Sequence, residues 1–229
     1  MTKRATGWAL LALLSLVLAA CASAGEAAPT LIVVPTSTEA AATDIPQPSA
    51  TSTPAPEVFY NFLESACEAE WTNNGQTLEC PGAQWHTIGP GYVGVLEDAV
   101  VEGNVQLDEP VLLTHPANSG GYYGIFGAYP PIQIQDGDEF RAKVGCLYGV
   151  EAESCDADFA LEYYDEDGEY VSSGLQWHVV YDGEMTEISA DLSFLAGRTV
   201  QLVLVVRDNG ASFGDYGVWV FPALWRVIP

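Results

Sequence analysis

The stretch ISADLSFLAGRTVQLVLVVRDNGASFGDYGVWVFPAL, Ile188 to Leu224, decides the fold. Its start alternates, with Ile188, Ala190 and Leu192 on one side and Ser189 and Asp191 on the other. A period of two marks a strand with one face on a core and one in water. VQLVLVV, Val200 to Val206, is apolar on both faces, as a central strand would be. Near the end, Val218 and Val220 share one face and Trp219 and Phe221 the other. A strand apolar on both faces is expected to be covered on both. Trp219 is therefore read as a core residue and not as an exposed platform for a sugar ring.

The same alternation extends upstream. Phe140, Ala142 and Val144 oppose Arg141 and Lys143; Phe159, Leu161 and Tyr163 share a face; Leu175, Trp177, Val179 and Tyr181 oppose Gln176 and His178. Asp136-Gly137, Asp167-Gly168, Asp182-Gly183 and Asn209-Gly210 punctuate these runs as turns. No long 3.6-residue period follows residue 58. Many short strands with glycine-rich turns predict an all-β, two-sheet sandwich over 58–229.

The N-terminal part has a different composition. Lys3 and Arg4 precede the apolar run GWALLALLSLVLAAC, Gly7 to Cys21. The run is short for a membrane span and right for a secretory signal. Leu18-Ala19-Ala20-Cys21 resembles the bacterial lipoprotein box. That resemblance implies cleavage before Cys21, acylation of its thiol and an exported, membrane-anchored protein. Each buried CH2 of an acyl chain contributes about 0.8 kcal/mol, so more than one chain makes attachment stable. Residues 22–57 are mostly Ala, Thr, Pro and Ser and are expected to be a disordered tether. Extended as polyproline II, it would reach roughly 110 Å.

The 229-residue chain has 31 Asp and Glu, 7 Lys and Arg, and a net charge of −24. Such a surface repels nucleic acid and anionic lipid, whose phosphates need clustered Lys and Arg. Four cysteines follow Cys21: Cys67, Cys80, Cys146 and Cys155. Of three pairings, the local one, Cys67–Cys80 and Cys146–Cys155, is expected, because each pair brackets a polar, turn-rich segment. Each bridge would stabilise the fold by roughly 2–3 kcal/mol. A four-thiolate zinc site needs C-x2-C spacing, which neither pair has.

The opening stretch resembles the end of galactose-binding-like jelly-roll domains, within them the NPCBM-like group of carbohydrate-binding modules. The motifs are Asp191-Leu192-Ser193, Ala196-Gly197, the strand Val200 to Val206, Asp215, and Trp219 with Pro222. Gly137 to Cys146, GDEFRAKVGC, is similar to a strand of that group. Residues 58 to 115 carry none of these motifs. The resemblance implies a jelly-roll sandwich and speaks to fold more than to function.

HPANSGGYYGIFGAYPP, His115 to Pro131, reads as a long connection, and its Tyr122, Tyr123, Phe126 and Tyr129 either stack on a ligand or pack at the sandwich edge. His115, Arg207, Asn209 and Asp215 are the candidate polar contacts. There is no G-x-S-x-G elbow, no H-E-x-x-H, and His86, His115 and His178 are scattered. In DEDGE, Asp165 to Glu169, an EF-hand register would put Tyr163 and Gly174 at ligand positions, so an acidic turn is the expectation, with structural calcium left open. No other cofactor is implied. The expected function is non-catalytic binding of a neutral glycan by a surface-tethered lipoprotein. The alternative is a structural or protein-interaction domain of the cell envelope. A hydrolase is third.

Overall fold

The alternation resolves into two antiparallel sheets packed face to face. In the computed structural model, residues 54–82, 89–116, 124–149, 155–210 and 214–228 are described. They belong to the second of two units, Thr51–Pro229. The signal segment with Cys21, the tether up to residue 53, His86, Tyr122 and Tyr123 lie outside the described residues.

The described strands are β1 (Pro56–Asn61), β2 (Glu70–Asn73), β3 (Gln76–Thr77), β4 (Tyr92–Leu96), β5 (Val100–Val101), β6 (Val105–Gln106), β7 (Val111–His115), β8 (Gly124–Ala128), β9 (Ile132–Gln133), β10 (Glu139–Cys146), β11 (Asp156–Tyr164), β12 (Tyr170–Val180), β13 (Thr186–Asp191), β14 (Thr199–Asp208) and β15 (Gly217–Val227). One sheet has the order β13-β10-β15-β7-β4, with β1 on β15; the other runs β12-β11-β14-β8-β2-β3, with β9 on β14. The domain is thus the jelly-roll sandwich expected. β14 is central, and Val203 and Val205 are as buried as Leu202 and Leu204. β1 begins at Pro56, two residues inside the stretch read as tether.

The core between the sheets holds Trp71, Tyr129, Phe140, Phe159 and Trp219. Trp219 is fully buried, packs edge-on to Phe159 at 4.8 Å and donates its indole N–H to Thr114 Oγ1 at 3.3 Å. Gly127 is required under Trp71, since a Cβ there would lie 2.5 Å from the indole ring. Both expected disulfides are present, Cys67–Cys80 and Cys146–Cys155.

A second apolar cluster lies outside the six-stranded sheet, where Val101 of the β5–β6 hairpin meets Val111, Leu113, Val218 and Val220. The carboxylate of Glu102 fixes this hairpin. It is 1% exposed and accepts backbone N–H groups from Cys146 at 2.9 Å and from Asp182 and Gly183 at 3.1 Å each.

Two expectations are corrected. The stretch from His115 to Pro131 is not one long connection, because Gly124–Ala128 is strand β8 between β14 and β2. Phe221 does not share the core face with Trp219. The pairing of β15 with β10 shifts between Arg141 and Lys143, and Phe221 takes a φ of 48° that turns its ring outward to 43% exposure.

Candidate glycan-binding groove

The outer face of the seven-stranded sheet follows from the alternation that builds the core. On β11, Phe159, Leu161 and Tyr163 point inward, so Ala160, Glu162 and Tyr164 point outward. The register then sets rows across the sheet. Tyr170, Tyr164 and Gln201 stand in one row; Glu162, Val203, Ala128 and Glu70 in the next; Ala160, Val205, Phe126 and Thr72 in a third. Small and β-branched residues make a floor, and the larger side chains stand around it. The resulting groove encloses about 280 Å³ between Glu70, Thr72, Phe126, Tyr164, Gln201 and Gly168.

One edge of this face is held by charge. Glu162 is 3% exposed although it points away from the core. Its carboxylate receives the Arg207 guanidinium at 2.6 Å and the Ser172 hydroxyl at 3.0 Å. Arg207 also donates to the Tyr170 hydroxyl at 3.1 Å and lies 5.3 Å from the Phe126 ring centre. Tyr170 in turn meets Tyr164 at 5.2 Å and Phe126 at 6.3 Å. Gly124 leaves room for this group, since a Cβ there would lie 2.8 Å from the Phe126 ring and 3.2 Å from Arg207 Cγ. The fold itself therefore holds these rings and the Arg207 donors in place.

Of the described residues expected at a site, Arg207 lies on this face, beside the groove and not in its lining, through its contacts with Glu162, Tyr170 and Phe126. His115, Asn209 and Asp215 gather instead at one end of the sandwich. His115 is buried, stacks on Tyr216 at 4.0 Å and bonds the Asp215 carbonyl through Nδ1 at 3.1 Å; burial lowers its pKa. Asp215 has no exposed surface and accepts the Asp156 N–H at 2.9 Å. Its pKa is pushed up to about 7 by burial first, with the nearby charges of Asp208 and Asp156 adding to it. Asn209 donates to Asp156 at 3.1 Å. His115 and Asp215 form a buried joint between strand ends, with Asn209 exposed at its edge, so His115 and Asp215 are corrected from ligand contacts to structural ones. Tyr129 is corrected too: it is fully buried, 4.7 Å from Phe62 and 6.1 Å from Trp71.

Glu162, Tyr164 and Tyr170 went unrecognised, although Glu162 and Tyr164 sit opposite the Leu161 and Tyr163 face that alternation had identified. In the acidic turn, Asp165 Oδ1 accepts the N–H groups of Asp167 at 3.0 Å and Glu169 at 2.9 Å. Among the described residues no group of three or more His, Cys, Asp and Glu side chains is arranged to hold a metal ion. Asp215, the carboxyl raised by burial, lines neither this groove nor the larger one on the opposite sheet.

No protein-family model matches the chain, and no curated protein matches it. Solved structures of similar fold include the C-terminal family 22 carbohydrate-binding module of Clostridium thermocellum Xyn10B, at 14% identity and a TM-score of 0.42 over 74% of this chain and 94% of that one. CBM51 from Clostridium perfringens GH95, solved with methyl-galactose, is 21% identical with a TM-score of 0.37 over 63% of this chain and 95% of that one. The glycoside hydrolase domain of Endo-D from Streptococcus pneumoniae R6 is 12% identical with a TM-score of 0.44 over 70% of this chain, which spans 22% of the length of that one.

Proposed function

We propose that this sandwich is a non-catalytic module that binds a neutral glycan in the groove on its seven-stranded sheet, and that a lipid on Cys21 tethers it to a membrane through residues 22–57. The observation that carries the proposal is the outward-facing network of Glu162, Arg207, Tyr170 and Phe126. A sheet face that only meets water has no need of a carboxylate at 3% exposure locked to an arginine and framed by rings. Pyranose rings present C–H faces to aromatic rings, and hydroxyls both donate and accept. Tyr164 and Phe126 in the groove, with Tyr170 packed beside them, supply the former contact, and Gln201, Thr72 and Glu70 the latter. A net charge of −24 disfavours polyanionic glycans. An open groove of this size supports about millimolar to micromolar affinity, or roughly 4–8 kcal/mol.

A glycan array followed by calorimetry tests this. Xylan, cello-oligosaccharide and galactose-terminated probes are expected to show saturable binding that Tyr170→Ala weakens without altering thermal stability. Absence of binding across a broad neutral panel would leave the envelope-interaction reading in its place. Release of free sugar during incubation would contradict the non-catalytic part.

A further inference from the structure

The outer face of the six-stranded sheet carries a larger groove, about 600 Å³, where the cover of the β5–β6 hairpin ends at Val220. Phe221 and Trp225 form one wall, Lys143 and Arg141 the floor, and Glu187 and Ser189 the far side, with Glu139 and Glu109 at the edges. Along β10, the row from Glu139 to Lys143 covers about 13 Å at about 3.3 Å per residue.

Two unfavourable features meet at this groove. Phe221 holds a left-handed φ of 48°, which costs about 1 kcal/mol or more for a residue with a bulky side chain. The nearby Trp225 ring, 6.2 Å from Phe221, has an indole N–H that is shut off from solvent and has no acceptor. Neither adds to stability, and together they hold a pair of aromatic rings at the rim of a groove. Lys143 is the second observation. Among the described residues it is the one Lys or Arg without an ion pair, although Glu187 faces it in register on β13. Arg141 pairs with Glu139 at 2.6 Å and lies over Trp225 at 5.1 Å.

The composition of the walls selects the ligand class. A polyanion would meet three carboxylates and a polycation would meet Lys143 and Arg141. An apolar ligand would desolvate both sets without replacing their hydrogen bonds. A neutral polyol fits, because each hydroxyl can accept from Lys143 and donate to Glu187. We infer that this groove is a second binding site for a neutral oligosaccharide, separate from the first and on the opposite outer face of the sandwich. It shares the ligand class of the first groove but none of its residues. A domain with sites on both faces can bridge two polysaccharide chains.

The test is calorimetry and indole 1H–15N spectroscopy on the full-length protein in detergent, titrated with xylohexaose and cellohexaose. Wild type is expected to bind two equivalents of at least one probe and to shift the Trp225 indole signal. Phe221→Gly removes the ring while relieving the backbone, so its melting temperature should not fall. It is expected to lose one equivalent and to weaken the Trp225 response by about tenfold. Lys143→Met should weaken the same response. Tyr170→Ala should abolish only the other equivalent. If folded Phe221→Gly keeps every equivalent and the full Trp225 shift, the inference is overturned while the first groove stands. One equivalent lost in Phe221→Gly and unaffected by Tyr170→Ala would uphold this site and refute the first. No binding by wild type would overturn both.

Discussion

Arg207 Nη2 lies 2.6 Å from Glu162 Oε2, so that a carboxylate 3% exposed on the outer face of a sheet is neutralised by a guanidinium that also reaches Tyr170. Removing one partner of such a pair strands the other charge away from water. Arg207→Met is expected to cost about 3 kcal/mol in urea unfolding, and Glu162→Leu with Arg207→Met together clearly less. A double variant no more stable than the single one would show that the pair is not held by charge.

Glu102 ties the β5–β6 hairpin to the end of β10 and to the turn after β12. Glu102→Gln keeps one acceptor oxygen and places an NH2 against backbone donors. The expected loss is about 2 kcal/mol, read by chemical denaturation. A variant as stable as wild type would exclude this anchoring role.

Burial lifts Asp215 from 3.8 to about 7. Between those values the folded state holds a proton that the unfolded state has released, so this group makes stability fall as pH rises through that window. Asp215→Asn is expected to flatten that slope and to raise the melting temperature at about pH 8, where the native carboxyl would be charged. His115 acts with the opposite sign. Its pKa is lowered from 6.5, so its contribution is lost as pH falls below that value. Melting curves from pH 4 to 8 separate the two; an unchanged slope in Asp215→Asn would contradict the assignment.

Trp219 and Tyr170 are expected to behave oppositely. Trp219 is fully buried and its truncation to Ala should cost roughly 3–5 kcal/mol. Tyr170 is 41% exposed, and its truncation should change stability by less than about 1 kcal/mol. Comparable losses at the two positions would argue against the placement of one or the other.

Cys21→Ser is expected to release the protein from membranes and to abolish incorporation of labelled fatty acid. Unchanged fractionation and labelling would refute the lipid tether.

Much of the sandwich could be read from alternation, because one buried face per strand imposes a period of two. The centrality of β14 was visible in its two apolar faces, and Trp219 in the core followed from the same logic. Phe221 could not be placed this way, because a bulge adds a residue without changing composition; Pro222, a residue that interior strands exclude, was the available warning. β8 was hidden by its glycines. They look like loop residues, yet Gly127 makes room for Trp71 and Gly124 for Phe126 and Arg207. The groove was harder to see, since it depends on which strands become neighbours. Tyr164 and Gln201 are 37 residues apart in sequence and face each other only through the β11–β14 register.

The most direct test of glycan binding at the seven-stranded face is an NMR titration of the isotope-labelled full-length protein with the best array ligand. Arg207 Nε–H and the backbone amides of Phe126 and Tyr170 should shift together and saturate along one isotherm. Saturable binding that leaves all three signals unmoved would contradict the account.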